Sequence, residues 1–110
     1  MAGKFVLQHT ADGQYLFNLQ AANGEVVLTS ERYMSKDAAL AGIASVRINA
    51  PIDARYERLT SSDGRPYFVL KGANGRVLGH SETYSSAAAR DQGIDSVEHH
   101  APEAELEDRT

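Results

Sequence analysis

The sequence contains no cysteine and no tryptophan among its 110 residues. Without cysteine there are no disulfides, thiolate zinc sites, iron–sulfur clusters or thiol nucleophiles. Long hydrophobic runs are missing too: the longest strongly apolar window, Ala38 to Ala44, is far shorter than the roughly 20 residues that span a bilayer. No charged-then-apolar leader follows Met1, so the expected location is the cytoplasm. Basic excess is also lacking. Eleven Lys and Arg stand against fifteen Asp and Glu, a net charge of −4. Four of the acids (Glu103, Glu105, Glu107, Asp108) lie in the last eight residues with a single base, Arg109, which leaves 10 basic and 11 acidic residues in the body. A near-neutral body offers no general footprint for duplex nucleic acid, where phosphate neutralisation supplies most of the affinity. The acidic end reads as a solvated tail or a polar edge strand.

What is present is ordinary globular material, 42% hydrophobic and 24% charged, and enough chain for one domain with a real core. It is organised by an internal duplication. Asp12–Pro51 and Asp63–Pro102 superimpose at an offset of 51 without a gap and share 19 identities in 40 positions, where chance gives roughly two or three. A unit of this size struggles to bury enough surface alone. Residues 1–54 and 55–110 are therefore expected to fold together as one pseudo-twofold body, and as a monomer, because the duplication itself supplies the second half.

Shared residues are mostly those that set local geometry. Asp12-Gly13 and Asp63-Gly64 are turn dipeptides. Asn23-Gly24 and Asn74-Gly75 predict hairpins with a type I′ turn. Strand-like runs flank them: Phe5–His9, Gln14–Gln20 and Val26–Glu31, then Arg55–Thr60, Arg65–Lys71 and Val77–Glu82. Ser35 and Ser86 stand as N-caps for helices over Lys36–Asn49 and Ala87–His100, each stopped by Ala-Pro. The fold class is α+β, two tandem βββα units with helices on antiparallel sheet. Ala104–Thr110 aligns with Ala54–Thr60 and predicts a short last strand completing the second unit.

The helix arcs Ala38, Gly42, Ile43, Val46, Ala50 and Ala89, Gly93, Ile94, Val97, Ala101 should face the sheet. Gly in a helix interior costs about 0.5–1 kcal/mol relative to Ala, so Gly42 and Gly93 predict a helix too close to the sheet for a β-carbon. Tyr15, Phe17 and Leu19, with Pro66, Phe68 and Leu70, form the strand face under the helices. The opposite alternation carries Val6, Leu16 and Val27 in one unit and Leu59, Tyr67, Val69 and Leu78 in the other. These are expected to be buried by packing of the two units against each other.

The string DGxxxFxL…ANGxVxxxSExYxS…GIxSV…AP, present twice, resembles the YegP-like family of small bacterial proteins over nearly the whole chain. The resemblance implies tandem β₃α units, each with a further β element, in an α+β fold. It implies single-copy relatives that dimerise to build the same assembly, and it brings no enzymatic activity, because the family is functionally uncharacterised.

Chemistry is sparse. Gly72 to Gly79 mimics a phosphate loop, but its first and last glycines are Ala21 and Leu28 in the other copy, so the segment reads as a turn. The Ser-Glu-x-Tyr-x-Ser segments are the most functional in appearance, and Ser30, Glu31, Tyr33, Ser81, Glu82 and Tyr84 form a candidate ligand rim. No histidine recurs at equivalent positions to serve these serines as a base. Asp91, Asp95 and His99 fall on one helix face at i, i+4 and i+8, yet a single helix rarely completes a metal site, and they read as a solvated face. Their counterparts Leu40, Ala44 and Ile48 make a second apolar stripe, a candidate protein-partner surface against which a purely structural cover is weighed. On one strand face Arg65, Tyr67 and Lys71 interleave base and ring, as single-strand binders do; burial between the units is the competing expectation. No catalytic set, cofactor or metal is predicted. The leading expectation is a non-enzymatic interaction or ligand-binding module, and the second is a weak single-stranded nucleic-acid binder.

Overall fold

The computed structural model describes residues 3–110. The first unit contributes β1 (Lys4–His9), β2 (Tyr15–Gln20), β3 (Val26–Ser30) and α1 (Lys36–Asn49); the second contributes β4 (Tyr56–Thr60), β5 (Pro66–Lys71), β6 (Val77–His80) and α2 (Ala87–His100), followed by β7 (Glu105–Asp108). All seven strands join one sheet in the order β4-β5-β6-β3-β2-β1-β7. The units meet edge to edge, where antiparallel β3 and β6 pair Thr29 with His80 and Ser30 with Gly79.

Both helices lie on the same face of this sheet. The register carries one face from Phe17 and Leu19 through Leu28, Ser30 and Gly79 to Leu70 and Phe68. Those side chains share a single core with Ile43 and Val46 of α1 and Ile94 and Val97 of α2. The helix bounds match the sequence reading, and the caps explain why. The Ser35 hydroxyl accepts from the Ala38 N–H at 3.1 Å and the Ser86 hydroxyl from Ala89 at 3.1 Å, each satisfying an otherwise orphaned donor.

Four expectations change. The hairpin turns are not type I′, because no residue but glycine has positive φ. At Ala21–Gly24 the Gly24 N–H reaches the Ala21 carbonyl at 2.9 Å and Asn23 Oδ1 takes the Glu25 N–H at 3.0 Å. That is a type I turn closed by a left-handed glycine, and Gly72–Gly75 repeats it. Second, β7 does not complete the second unit. It runs parallel to β1, pairing Lys4 with Glu105 and Val6 with Glu107, so the sheet is mixed. Third, the units do not bury the second strand face against each other; edge-to-edge pairing leaves it uncovered by any helix.

Fourth, Val27 and Leu78 are not on that face at all. The register of β2–β3 shifts between Leu19 and Gln20, and that of β5–β6 between Leu70 and Lys71. Val27 and Leu78 are the extra residues of β-bulges, turned onto the helix side, where both pack with the core. On the uncovered face Val6 is nonetheless fully buried. Polar cross-strand bridges flank it: Lys4 to Glu107 at 2.9 Å, and Gln8 to Asn18 at 2.9 Å, which itself donates to Thr29 at 2.9 Å.

The acidic end is thus strand material tied down by cations. Lys36 of α1 meets Asp108 at 2.6 Å. The Lys36 ammonium and then the Thr110 hydroxyl hold the Asp108 carboxyl well below the usual carboxylate range. Lys4 and then Arg109 lower that of Glu107. A carboxyl whose folded value lies below its unfolded one adds stability that is present above the unfolded value and lost as pH falls through the folded one. Amide protection factors in β7 are therefore expected to fall below about pH 4 while those of β5 persist. Equal protection of β7 at pH 6 and pH 2 would contradict this.

Candidate functional site

Each Asn-Gly turn projects beyond its own unit and faces the helix of the other. Two pseudo-equivalent grooves result. The first, of about 540 Å³, is lined by Tyr33, Gly42 and Ser45 of the first unit and by Asn74, Arg76 and Leu78 of the second. The second, of about 450 Å³, is lined by Tyr84, Gly93 and Ser96 of the second unit and by Asn23, Glu25 and Val27 of the first. Every residue lining the second groove has its repeat counterpart lining the first.

The tyrosines build the groove floors. Tyr33 stacks on Phe17 with ring centroids 6.1 Å apart and planes 14° apart; Tyr84 stacks on Phe68 at 6.3 Å and 13°. Their hydroxyls sit over the helix glycines, where a β-carbon on Gly42 would lie 2.3 Å from Tyr33 Oη and one on Gly93 2.2 Å from Tyr84 Oη. The helix glycines therefore make room for a tyrosine inserted between helix and strand, not for direct approach of helix to sheet. Burial pushes both phenols up, and Glu31 adds to this at Tyr33 while Arg76 opposes it. At Tyr84, Glu82 and Glu25 both reinforce the rise. Both phenols are neutral donors at pH 7.

The candidate ligand rim divides. Ser30 and Ser81 are buried. Each hydroxyl accepts a strand N–H, from Phe17 and Phe68 at 2.9 Å, and donates to the carbonyl of the next residue, Glu31 or Glu82. They lock strand pairs and are closed to a ligand. Glu31 and Glu82 are exposed. Tyr33 and Tyr84 belong to different grooves. Within the first groove, Tyr33 Oη, Ser45 Oγ and the Arg76 guanidinium make no hydrogen bond or ion pair among the described residues. Arg32 is turned toward Asp12 at 3.4 Å. In the second groove His100 Nδ1 donates to the Ser96 carbonyl at 2.8 Å and approaches the Ser96 hydroxyl at 3.2 Å, and Glu25 replaces Arg76. Sequence reasoning missed Arg76 and Glu25, because it treated the turn only as a turn. The available signal was a reversal of charge at one repeat position beside an otherwise shared Asn-Gly.

The other candidates fall elsewhere. Leu40 is half-buried and packs against the core, one turn from Lys36, which is held by β7. Ala44 and Ile48 stay exposed, Ile48 at 70%. The matching residue on α2, Asp91, faces a bare sheet edge, where Arg58 of β4 meets it at 3.4 Å and Arg90 at 3.3 Å. So one extra strand accounts for leucine on one helix and aspartate on the other. Among the described residues no three His, Asp or Glu converge as a metal site, Asp91, Asp95 and His99 included. Arg65, Tyr67 and Lys71 lie on the uncovered half of the sheet's strands; Lys71 is paired with Glu57 at 2.8 Å and Arg65 with Asp63 at 3.5 Å. A larger recess of about 750 Å³ lies between the start of β1 and the β7 end. It begins at Gly3, its Lys4 is engaged by Glu107, and it is walled by β7, which flanks β1 alone. No described helix is long and apolar enough to cross a membrane.

Comparison with known proteins agrees with the architecture. The family described as "Domain of unknown function (DUF1508)" matches twice, at residues 11–57 and 61–108. A UPF0339 protein of Bordetella pertussis is 56% identical over 110 residues, spanning 100% of this chain and 98% of that protein. The UPF0339 protein YegP of Escherichia coli is 47% identical over the full length of both. The solution NMR structure of that E. coli protein, described as of unknown function, superimposes with a TM-score of 0.95, covering 100% of this chain and 95% of that one. The solution NMR structure of a UPF0339 protein from Shewanella oneidensis, 45% identical, gives 0.92 over 98% and 92%. One sheet built from two fused copies of the same unit is thus a family architecture, and the chain belongs to the UPF0339 (YegP) family of tandem DUF1508 proteins.

Proposed function

We propose that this chain is a non-enzymatic, monomeric ligand-binding module of the bacterial cytoplasm, and that its binding elements are the two inter-repeat grooves. The observation that carries the reading is the set of uncommitted polar groups in the first groove, the Tyr33 and Ser45 hydroxyls and the Arg76 guanidinium, on a lining that mixes these with apolar Ala38, Ala41 and Leu78. Small-molecule sites have this character, a concave surface of about 300–1,000 Å³ with a few converging polar groups. In the repeated motif Ser30 and Ser81 lock strands and Ser35 and Ser86 cap helices, so its hydroxyls are committed to structure, which supports a binding role.

A thermal-shift panel of neutral, cationic and anionic metabolites tests this. A ligand at 100 times its Kd adds about 2.7 kcal/mol, a rise of roughly 10 °C for a chain of this length. Loss of that rise in Ser45→Leu, a substitution filling the groove from a half-buried position, is the expected result. A rise that survives Ser45→Leu would place binding elsewhere.

The single-stranded nucleic-acid reading gains from the strand face carrying Arg65, Tyr67 and Lys71 being uncovered. It loses because the cations there are already paired with Glu57 and Asp63, leaving little net charge to release counterions.

A further inference from the structure

We infer that the two grooves differ in ligand charge: the first takes a small molecule bearing a carboxylate or phosphate group, and the second rejects one. The inference rests on the grooves being binding sites and assigns the chemistry of their occupants. The two sites share their architecture down to the tyrosine, the helix glycine, the helix serine and the turn asparagine. Against that constant background one position reverses its charge, Arg76 in the first groove and Glu25 in the second. Both are exposed on the wall facing the tyrosine. The guanidinium is a planar fork of donors that matches carboxylate and phosphate geometry. In the first groove it faces two further donors, Tyr33 Oη and Ser45 Oγ, and all three are uncommitted among the described residues. Three donors lining one groove from both walls suit an oxyanion, which is all acceptor. Glu31 also lines this groove, so the anion is held at the Arg76 wall rather than at the strand end.

In the second groove the equivalent wall carries the Glu25 carboxylate. An anion there meets a like charge. Duplication has thus left one anion-accepting and one anion-refusing version of a single groove in each chain.

The test is a titration of the full ¹⁵N-labelled chain with pyrophosphate and, in a second arm, with succinate, followed by amide and Arg side-chain shifts. Both arms are expected to move Asn74, Arg76 and Ser45 and to leave Asn23, Glu25 and Ser96 in place, with one site per chain. Arg76→Glu should weaken binding at least tenfold, and Glu25→Arg should add a second site. Both positions are exposed in turns, so the variants keep the wild-type spectrum elsewhere. Response of both grooves alike, or anion binding indifferent to Arg76→Glu, overturns the inference. If neutral probes fill both grooves while pyrophosphate and succinate enter neither, this assignment alone falls. If no probe of any charge enters either groove, the reading of the grooves as sites falls with it.

Discussion

Phe68→Ala is expected to cost about 3–5 kcal/mol and to bring down both units in one transition. Phe68 is fully buried, sits edge-on to Tyr56 at 5.8 Å and floors Tyr84. All of these partners lie in the second unit. The core does not: Phe68 belongs to the same buried cluster as Phe5, Phe17 and Ile43 of the first. Urea unfolding followed separately by amide signals of β2 and of β5 should therefore give coincident curves, shifted together. Two resolved transitions, with β2 unshifted, would mean that the units fold independently. Phe17→Ala should behave the same way from the other side, since Phe17 is equally buried and floors Tyr33.

Gly79→Leu is expected to cost about 3 kcal/mol, the upper end of the range for overpacking. Gly79 lies at the seam between the units, where a β-carbon would approach Leu28 Cγ and the Thr29 carbonyl oxygen, both at 2.9 Å. One of those atoms is backbone of the paired strand and cannot swing away. The repeat counterpart of Gly79 is Leu28 itself. The seam therefore joins a large residue to a missing one, a complementarity that two identical copies could not have. In the double variant Leu28→Ala/Gly79→Leu, part of the penalty should be recovered, with a coupling of about 1–2 kcal/mol between neighbours. Strictly additive costs would show that the pair does not meet as described.

Much of this fold is legible in the residues because its signals are local. The Ser caps, the Ala-Pro stops and the glycine turns each act within a few residues, so α1, α2 and the six repeat strands fall where periodicity puts them. What sequence alone did not yield depends on pairing. A bulge is a register event between strands, so strict alternation sent Val27 and Leu78 to the wrong face. The partner of β7 lies about a hundred residues away in the chain, and nothing within Glu105–Asp108 announces that β1 is its neighbour. The turn type was missed because asparagine keeps negative φ and passes the left-handed conformation to the glycine alone. In the site, Tyr33 and Tyr84 stood out as residues, but their role as floors over Gly42 and Gly93 needed the helix in place. Arg76 and Glu25 enter the grooves only because each turn reaches the opposite unit, a contact no motif within one unit can encode.

The central claim is that the grooves between the units are where this protein binds. The most direct measurement is chemical-shift mapping of the labelled chain with whichever compound raises its melting temperature most. The account predicts shifts at the ring of Tyr33 or Tyr84 together with the facing turn, Asn74–Arg76 or Asn23–Glu25, one from each unit. Shifts confined to the uncovered strand face around Leu16, Tyr67 and His80, with both tyrosines silent, would contradict it.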